Sequence, residues 1–401
     1  MLSAVRFSRR RCRYNERAAH PGLPSTYSQG HRRNGQLIPR HGHNNCRSVV
    51  HLRRTSSTHA WITPVKNNFD LVRVALALIV VLVHLATLTN LPEFGIFMDY
   101  LSSDFAVKGF FAVSGYLVMQ SYVNSKTLCN FAEKRIRRIY PAYLATIFLC
   151  LGIGIYATRL STASFLTSPE TLKYLLLNVA FLNFAYPNLP GVFENHYLSA
   201  MDGALWTIKI EVCLYFCIPL IFYMFKKFGN YRVAVLTSFF SVLWILIFKY
   251  FLGGRVFEEV ARQFPGQLSY FILGCLLFIE RPEPKNLARI VILSSLLFVL
   301  FRHQILRLVI EPVFYSCLVI FLATQSKKSI NFGKFGDLSY GTYLLHFPII
   351  QLFIHLGLYK SNAWFGLIIT IATILIFAMI SWRFIERPTL KRSSHYIQVN
   401  I

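Results

Sequence analysis

From Leu71 almost to the C-terminus, apolar residues come in runs of about twenty, broken by short polar segments rich in Lys, Arg, Asn, Pro and Gly. A helix rises 1.5 Å per residue, so each such run is long enough to cross a hydrocarbon core of about 30 Å. The pattern predicts ten spans, at 71–89, 104–123, 139–157, 204–225, 232–252, 266–280, 288–301, 304–323, 338–358 and 363–385. Residues 172–186 form a weaker eleventh run that is short and carries Asn and Pro, which suits an interfacial or re-entrant segment. The fold class expected is therefore all-α, a polytopic integral membrane helical bundle.

Composition agrees with that pattern and excludes a soluble cytosolic enzyme. The 401 residues are 54% hydrophobic and 15% charged, and their mean hydropathy is +0.45. Loop charges orient the bundle. With the N-terminus inside, the inner loops and C-terminus hold 17 Lys and Arg, among them Lys134, Arg135, Arg137, Arg138, Lys327, Lys328, Lys334 and Arg392. The outer loops hold 6: Arg159, Lys173, Arg255, Arg262, Arg302 and Lys360. Both termini are predicted to be cytoplasmic.

The net charge of +25 is unevenly spread, with +12 of it in residues 1–68, where 13 Lys and Arg face the single acid Glu16. Residues 1–64 lack apolar periodicity and are read as a basic disordered tail. They carry no helix-turn-helix, zinc or RNA-recognition pattern, so no nucleic-acid partner is expected. No Met occurs between Met1 and Met98, and the stretch from Val65 to Asp70 reads like the start of a protein whose first span follows at once. A non-ATG start near Val65 is the expectation, with the tail as upstream sequence. Residues 65–392 form the membrane domain, and 393–401 a short cytoplasmic tail. Cys150, Cys213, Cys217, Cys275 and Cys317 fall in apolar spans, where thiols pack as small hydrophobes, and no metal site is predicted.

Ionisable residues inside spans are costly to bury, so each is a functional candidate. Arg73 and His84, eleven residues apart, return to nearly the same face of the first span. Arg73 then lies at the inner rim and His84 about 20 Å in from Leu71. Glu211, in LWTIKIE after Trp206, lies about 10 Å below the outer surface, at a similar depth. An imidazole and a carboxylate at one level suit proton handling, though a buried His can also simply bond a neighbouring helix. Arg135, Arg137 and Arg138 precede Tyr140-Pro141 at the inner rim, where guanidinium groups can bind phosphate or anchor lipid headgroups. Ser114 beside Gly115 suits close helix packing better than nucleophilic attack, and His346 is a supporting candidate.

Taken in order, Arg73-x10-His84, FFAVSGYLV, Arg135-x-x-Arg138 with Tyr140-Pro141, LWTIKIE, FILGCLLF, LSYGTYLLHFP and FIERP resemble the membrane acyltransferase-3 family over about residues 66–390. The resemblance implies transfer of an acyl group, most often acetyl from acetyl-CoA, to a carbohydrate hydroxyl. Typical acceptors are lipopolysaccharide O-antigen, exopolysaccharide or lipochitooligosaccharide. It further implies the stand-alone form without a C-terminal hydrolase-like domain, and a place in the cell inner membrane.

One departure is Trp206-Thr207-Ile208 where Trp-Ser-Leu is usual; the hydroxyl is kept. On this reading Arg73, Arg135, Arg137 and Arg138 bind the donor and His84 is the general base, or transiently takes the acyl group. Glu211 orients it, while Trp206, Ser114 and His346 support the site. Acetyl-CoA is a substrate and no resident cofactor is expected. Partners are the lipid bilayer and a carbohydrate acceptor. The outer loop from about 158 to 203, with Asn183, Tyr186, Asn188, Asn195 and Tyr197, is suited to sugar contact. A small hydroxylated metabolite as acceptor, and a transporter or flippase, stay open as alternatives.

Overall fold

The structure is a computed structural model that describes residues 68–301, 303–325 and 336–391. The basic tail, the start near Val65, Arg302, the inner-loop lysines Lys327, Lys328 and Lys334, and the tail from Arg392 onward lie outside the described residues. Among the described residues every regular element is a helix.

In chain order these are α1 Phe69–Thr89, α2 Gly95–Tyr100, α3 Ser103–Val123, α4 Leu128–Ala157, α5 Thr162–Thr167, α6 Pro169–Val179 and α7 Trp206–Phe228. Then follow α8 Asn230–Ile245, α9 Arg255–Ala261, α10 Phe264–Glu280, α11 Pro284–Leu300, α12 Gln304–Thr324, α13 Leu338–His355, α14 Ala363–Ser381 and α15 Arg387–Thr389. Each of the ten apolar runs is a helix. Six helical segments are long and apolar enough to cross a membrane: α1, α4, α7, Asn230–Leu252, Ile305–Thr324 and Ala363–Thr389. The weak eleventh run holds the end of α6, whose eleven residues rise only about 16 Å, too little to span.

Local chemistry sets the helix ends. Ser102 and Thr127 cap α3 and α4 by accepting from the backbone N–H groups of Phe105 and Asn130. α1 stops at Asn90, which takes the left-handed conformation just before Pro92. The Thr127 cap starts α4 eleven residues before the predicted span at 139. Arg135, Arg137 and Arg138 therefore stand on a helix and not in a loop.

Packing brings α1 against α13 and α3, α10 against α3 and α8, and α13 against α14. The α3–α10 crossing is backbone on backbone. A Cβ on Gly115 would sit 2.1 Å from the Phe271 carbonyl oxygen, and one on Gly274 2.0 Å from that of Ala112. Small residues permit this approach between membrane helices. Gly274→Ala is accordingly expected to lower stability by about 1–3 kcal/mol through overpacking, read as an earlier thermal unfolding in detergent.

Helices α3 and α12 also carry an ion pair that the hydropathy pattern passed over. Lys108 Nζ lies 2.5 Å from Asp104 Oδ2 and 2.5 Å from Glu311 Oε1, and the Tyr270 hydroxyl donates to Glu311 at 2.7 Å. The pairing tethers α3 to α12 and α10, and it makes the buried charges tolerable.

Candidate active site

His84 meets a second imidazole. Its Nδ1 lies 2.8 Å from Nε2 of His346 on α13, and the two rings stack with centroids 5.0 Å apart. His346 is fully buried, and its Nδ1 lies 2.7 Å from the backbone carbonyl oxygen of Tyr343. A carbonyl only accepts, so His346 must carry its proton on Nδ1 and present a lone pair at Nε2. Nδ1–H of His84 then donates to that lone pair, which leaves His84 Nε2 as a lone pair without a hydrogen-bond partner among the described residues. The chain Tyr343 C=O, His346, His84 thus selects the tautomer that a general base needs.

The dyad is fixed from the α7 side as well. The Tyr343 hydroxyl lies 2.7 Å from Thr207 Oγ1, and both lie close to the Ala204 carbonyl, at 3.3 and 3.2 Å. The hydroxyl kept in Trp206-Thr207-Ile208 therefore anchors the tyrosine whose backbone orients His346. Phe347 closes on His84 edge-on, with ring centroids 5.7 Å apart.

Glu211 does not join this pair. Its hydrogen-bond partners among the described residues are Ser114 Oγ, which donates at 3.0 Å, and the Tyr215 hydroxyl in a short bond. The Arg135 guanidinium lies over the Tyr215 ring, 5.8 Å from its centroid, and donates from Nη2 to Ser121 Oγ at 3.2 Å. Arg135 Nε is buried without a partner among the described residues. Ser114, read from the sequence as a packing residue and a supporting candidate, belongs to a polar cluster with Glu211, Tyr215 and Arg135.

The four candidate donor-binding arginines are not gathered in one place. Arg73 and Arg138 converge on Asp337, the N-cap of α13: Arg73 Nη1 lies 2.5 Å from Oδ2, and Arg138 Nη2 makes a short contact with the same oxygen. Ser339 donates to Oδ1 from its N–H at 3.2 Å and its hydroxyl at 2.6 Å. Arg138 Nη1 also reaches Glu386 Oε2 at 2.9 Å, and Ser381 donates to Glu386 Oε1 at 3.2 Å. Burial disfavours charge on Asp337, but Arg138 and Arg73 outweigh it and hold the carboxyl well below the usual carboxylate range. Arg137 is exposed, paired with Glu133 at 2.9 Å and with the Thr389 carbonyl at 3.2 Å. Trp206 opens α7, with the Arg262 guanidinium 4.6 Å from its ring centroid.

Asp337 and Glu386 went unread as site residues, although both stand in the quoted stretches or beside them. The available signal was physical: an arginine in an apolar run needs a counter-charge near its own depth, and Asp337 immediately precedes the predicted run 338–358.

The chain as a whole is similar to known proteins. The acyltransferase domain family, acyltransferase-3, matches residues 66–382. An O-acetyl transferase of Shigella phage Sf6 is 26% identical over 343 residues, covering 82% of this chain and 97% of that protein. Nodulation protein 10 of Rhizobium leguminosarum bv. viciae is 25% identical over 374 residues, covering 81% and 94%. The peptidoglycan O-acetyltransferase OatA of Listeria monocytogenes is 27% identical over 328 residues, covering 70% of this chain and 50% of that protein. No solved structure matches. A match over residues 66–382, with six helices fit to cross a membrane, makes the chain a multi-pass membrane member of the acyltransferase-3 family.

Proposed function

We propose that the protein is an inner-membrane O-acetyltransferase that moves acetyl from acetyl-CoA to a hydroxyl of a surface or secreted carbohydrate. The observation that carries this reading is the His84–His346 dyad, whose hydrogen bonds leave His84 Nε2 as the proton acceptor. The bundle crosses the membrane ten times with both termini inside, in line with the charge bias of its loops.

In the reaction the acceptor oxygen attacks the thioester carbonyl while His84 Nε2 takes its proton. The C–S bond breaks, and the CoA thiolate leaves and is protonated by the imidazolium. His346 shares the developing positive charge through the bond to His84 Nδ1, and its anchored ring keeps Nε2 of His84 aimed at one place. Glu211 is a positioning residue here: it orders Ser114 and Tyr215 beneath Arg135. Arg135, with its unpartnered Nε, and exposed Arg137 are the arginines best able to meet donor phosphates. Arg73 and Arg138 hold the helices that frame the entry.

Acetyl on a glycan is supported by two relatives named for O-acetyl transfer, one of them to peptidoglycan. Mass spectrometry of surface and secreted glycans, comparing cells with and without the protein, tests the reading. An acetyl increment confined to cells that carry it is expected. No increment in any glycan pool, with the protein confirmed in the membrane, overturns the reading; an increment on a small hydroxylated metabolite instead selects that acceptor class.

A further inference from the structure

Outside the dyad, the outer end of α7 assembles a second constellation. Arg262 lies over the Trp206 ring, and Lys209, one turn along, has its Nζ 3.9 Å from the centroid of Phe184. Lys209 Nζ also donates to Gln263 Oε1 at 2.6 Å, which draws the two cations together through adjacent residues of the α9–α10 turn. Phe184 and Arg262 are exposed, and Trp206 and Lys209 half-buried, so the group is open to a ligand. It also adjoins the dyad. Thr207, next to Trp206, bonds the hydroxyl of Tyr343, whose backbone carbonyl in turn meets His346.

The charge balance tells which ligand this surface fits. Lys209 has a neutral partner, Gln263, and no carboxylate partner among the described residues. Arg262 pairs at 2.9 Å with Glu259, but both side chains are more than half exposed, and such a pair contributes little and exchanges readily. Two aromatic faces with two available cations beside them match a sugar ring that stacks on an aromatic side chain and carries an anionic group at its edge. A neutral glycan would leave both cations idle.

We infer that Trp206, Phe184, Lys209 and Arg262 form the acceptor subsite, and that they select an acidic glycan, one bearing a carboxylate close to the hydroxyl that is acylated. The inference rests on the O-acetyltransferase reading and deepens it by naming the acceptor class. Lys209 and Arg262 are specificity residues, and Trp206 supplies the stacking face.

The full-length protein in detergent, titrated with two probes, tests the assignment. One is a tetrasaccharide of alternating N-acetylglucosamine and glucuronic acid; the other is its methyl ester, which keeps the sugar faces and removes the charge. The charged form is expected to bind about tenfold tighter, with the preference shrinking as salt rises. Lys209→Gln and Arg262→Gln should each weaken the charged form about tenfold and the ester less than twofold. Lys209→Arg should keep the preference, and Trp206→Ala should weaken both probes. Equal binding of the two probes by wild type, binding of neither, or equal loss on both in the glutamine variants overturns the assignment. Release of CoA thiol from acetyl-CoA, compared in wild type and His84→Ala, is read in parallel. An acceptor assignment that fails while His84 still governs donor turnover is thereby separated from failure of the enzyme reading.

Discussion

Replacing His84 with alanine lowers acyl transfer by about 10²- to 10⁴-fold, the range expected when a positioned general base is removed. The loss falls on kcat. On the proposed reading the donor is held from the arginine side, so KM for acetyl-CoA is expected to stay close to wild type. His346→Ala gives a smaller loss, about 10- to 10²-fold on the same general-base scale, because His84 survives but no longer has its proton held on Nδ1 by a fixed lone pair. The remaining His84 samples both tautomers and several ring orientations, and its imidazolium has no partner to share charge. The double variant should be no slower than His84→Ala alone, since His346 acts only through His84. Steady-state rates with acetyl-CoA and an acylated glycan readout decide it. A His84→Ala enzyme within tenfold of wild type would remove the imidazole from the proton path, and additive losses in the double variant would give His346 a role of its own.

His84 stands out as a candidate from one sequence, because a titratable ring deep in an apolar run is expensive without a purpose. Its partner was not. Residue number along a helix gives depth, and depth placed Glu211 level with His84, but it says nothing of which helices are neighbours. α1 packs against α13 and α3, so the ring opposite His84 comes from α13, and Glu211 on α7 closes instead on Ser114 of α3. The arginines failed to group for a related reason. Counting placed all four at the inner rim, yet α4 turns its three about its axis, with Arg135 toward Tyr215, Arg138 toward Asp337 and Arg137 outward. The helices, by contrast, were readable, since a run of some twenty apolar residues leaves a helix as the way to satisfy its own backbone in lipid, and each apolar run is a helix. The start of α4 was missed because its charged first third lowers hydropathy while Thr127 still caps it.

Removing the carboxylate of Asp337 destabilises the protein by about 3–5 kcal/mol, the cost of breaking a buried ion pair from one side. Asp337 Oδ2 is shared by Arg73 of α1 and Arg138 of α4, and Glu386 takes the second arm of Arg138. Asp337 is 1% exposed, and the two arginine side chains 15% and 13%, so in Asp337→Ala water can reach them only partly. Asp337→Asn keeps one acceptor for the Ser339 bonds and loses the charge, so it should fall between wild type and alanine.

The pH dependence has a definite sign. The carboxyl is held below its unfolded value, about 3.9 for Asp, so its contribution is fully present above that value and is lost as pH falls toward the depressed folded one. Wild type should therefore lose thermal stability as pH drops below about 4, and Asp337→Ala, already lacking this contribution, should lose less over the same interval. Unfolding followed in detergent at neutral pH and through that acid window measures both. If Asp337→Ala melts with wild type at neutral pH, the arginines are not held by this carboxylate, and Arg73 and Arg138 return as donor-phosphate ligands alongside Arg135.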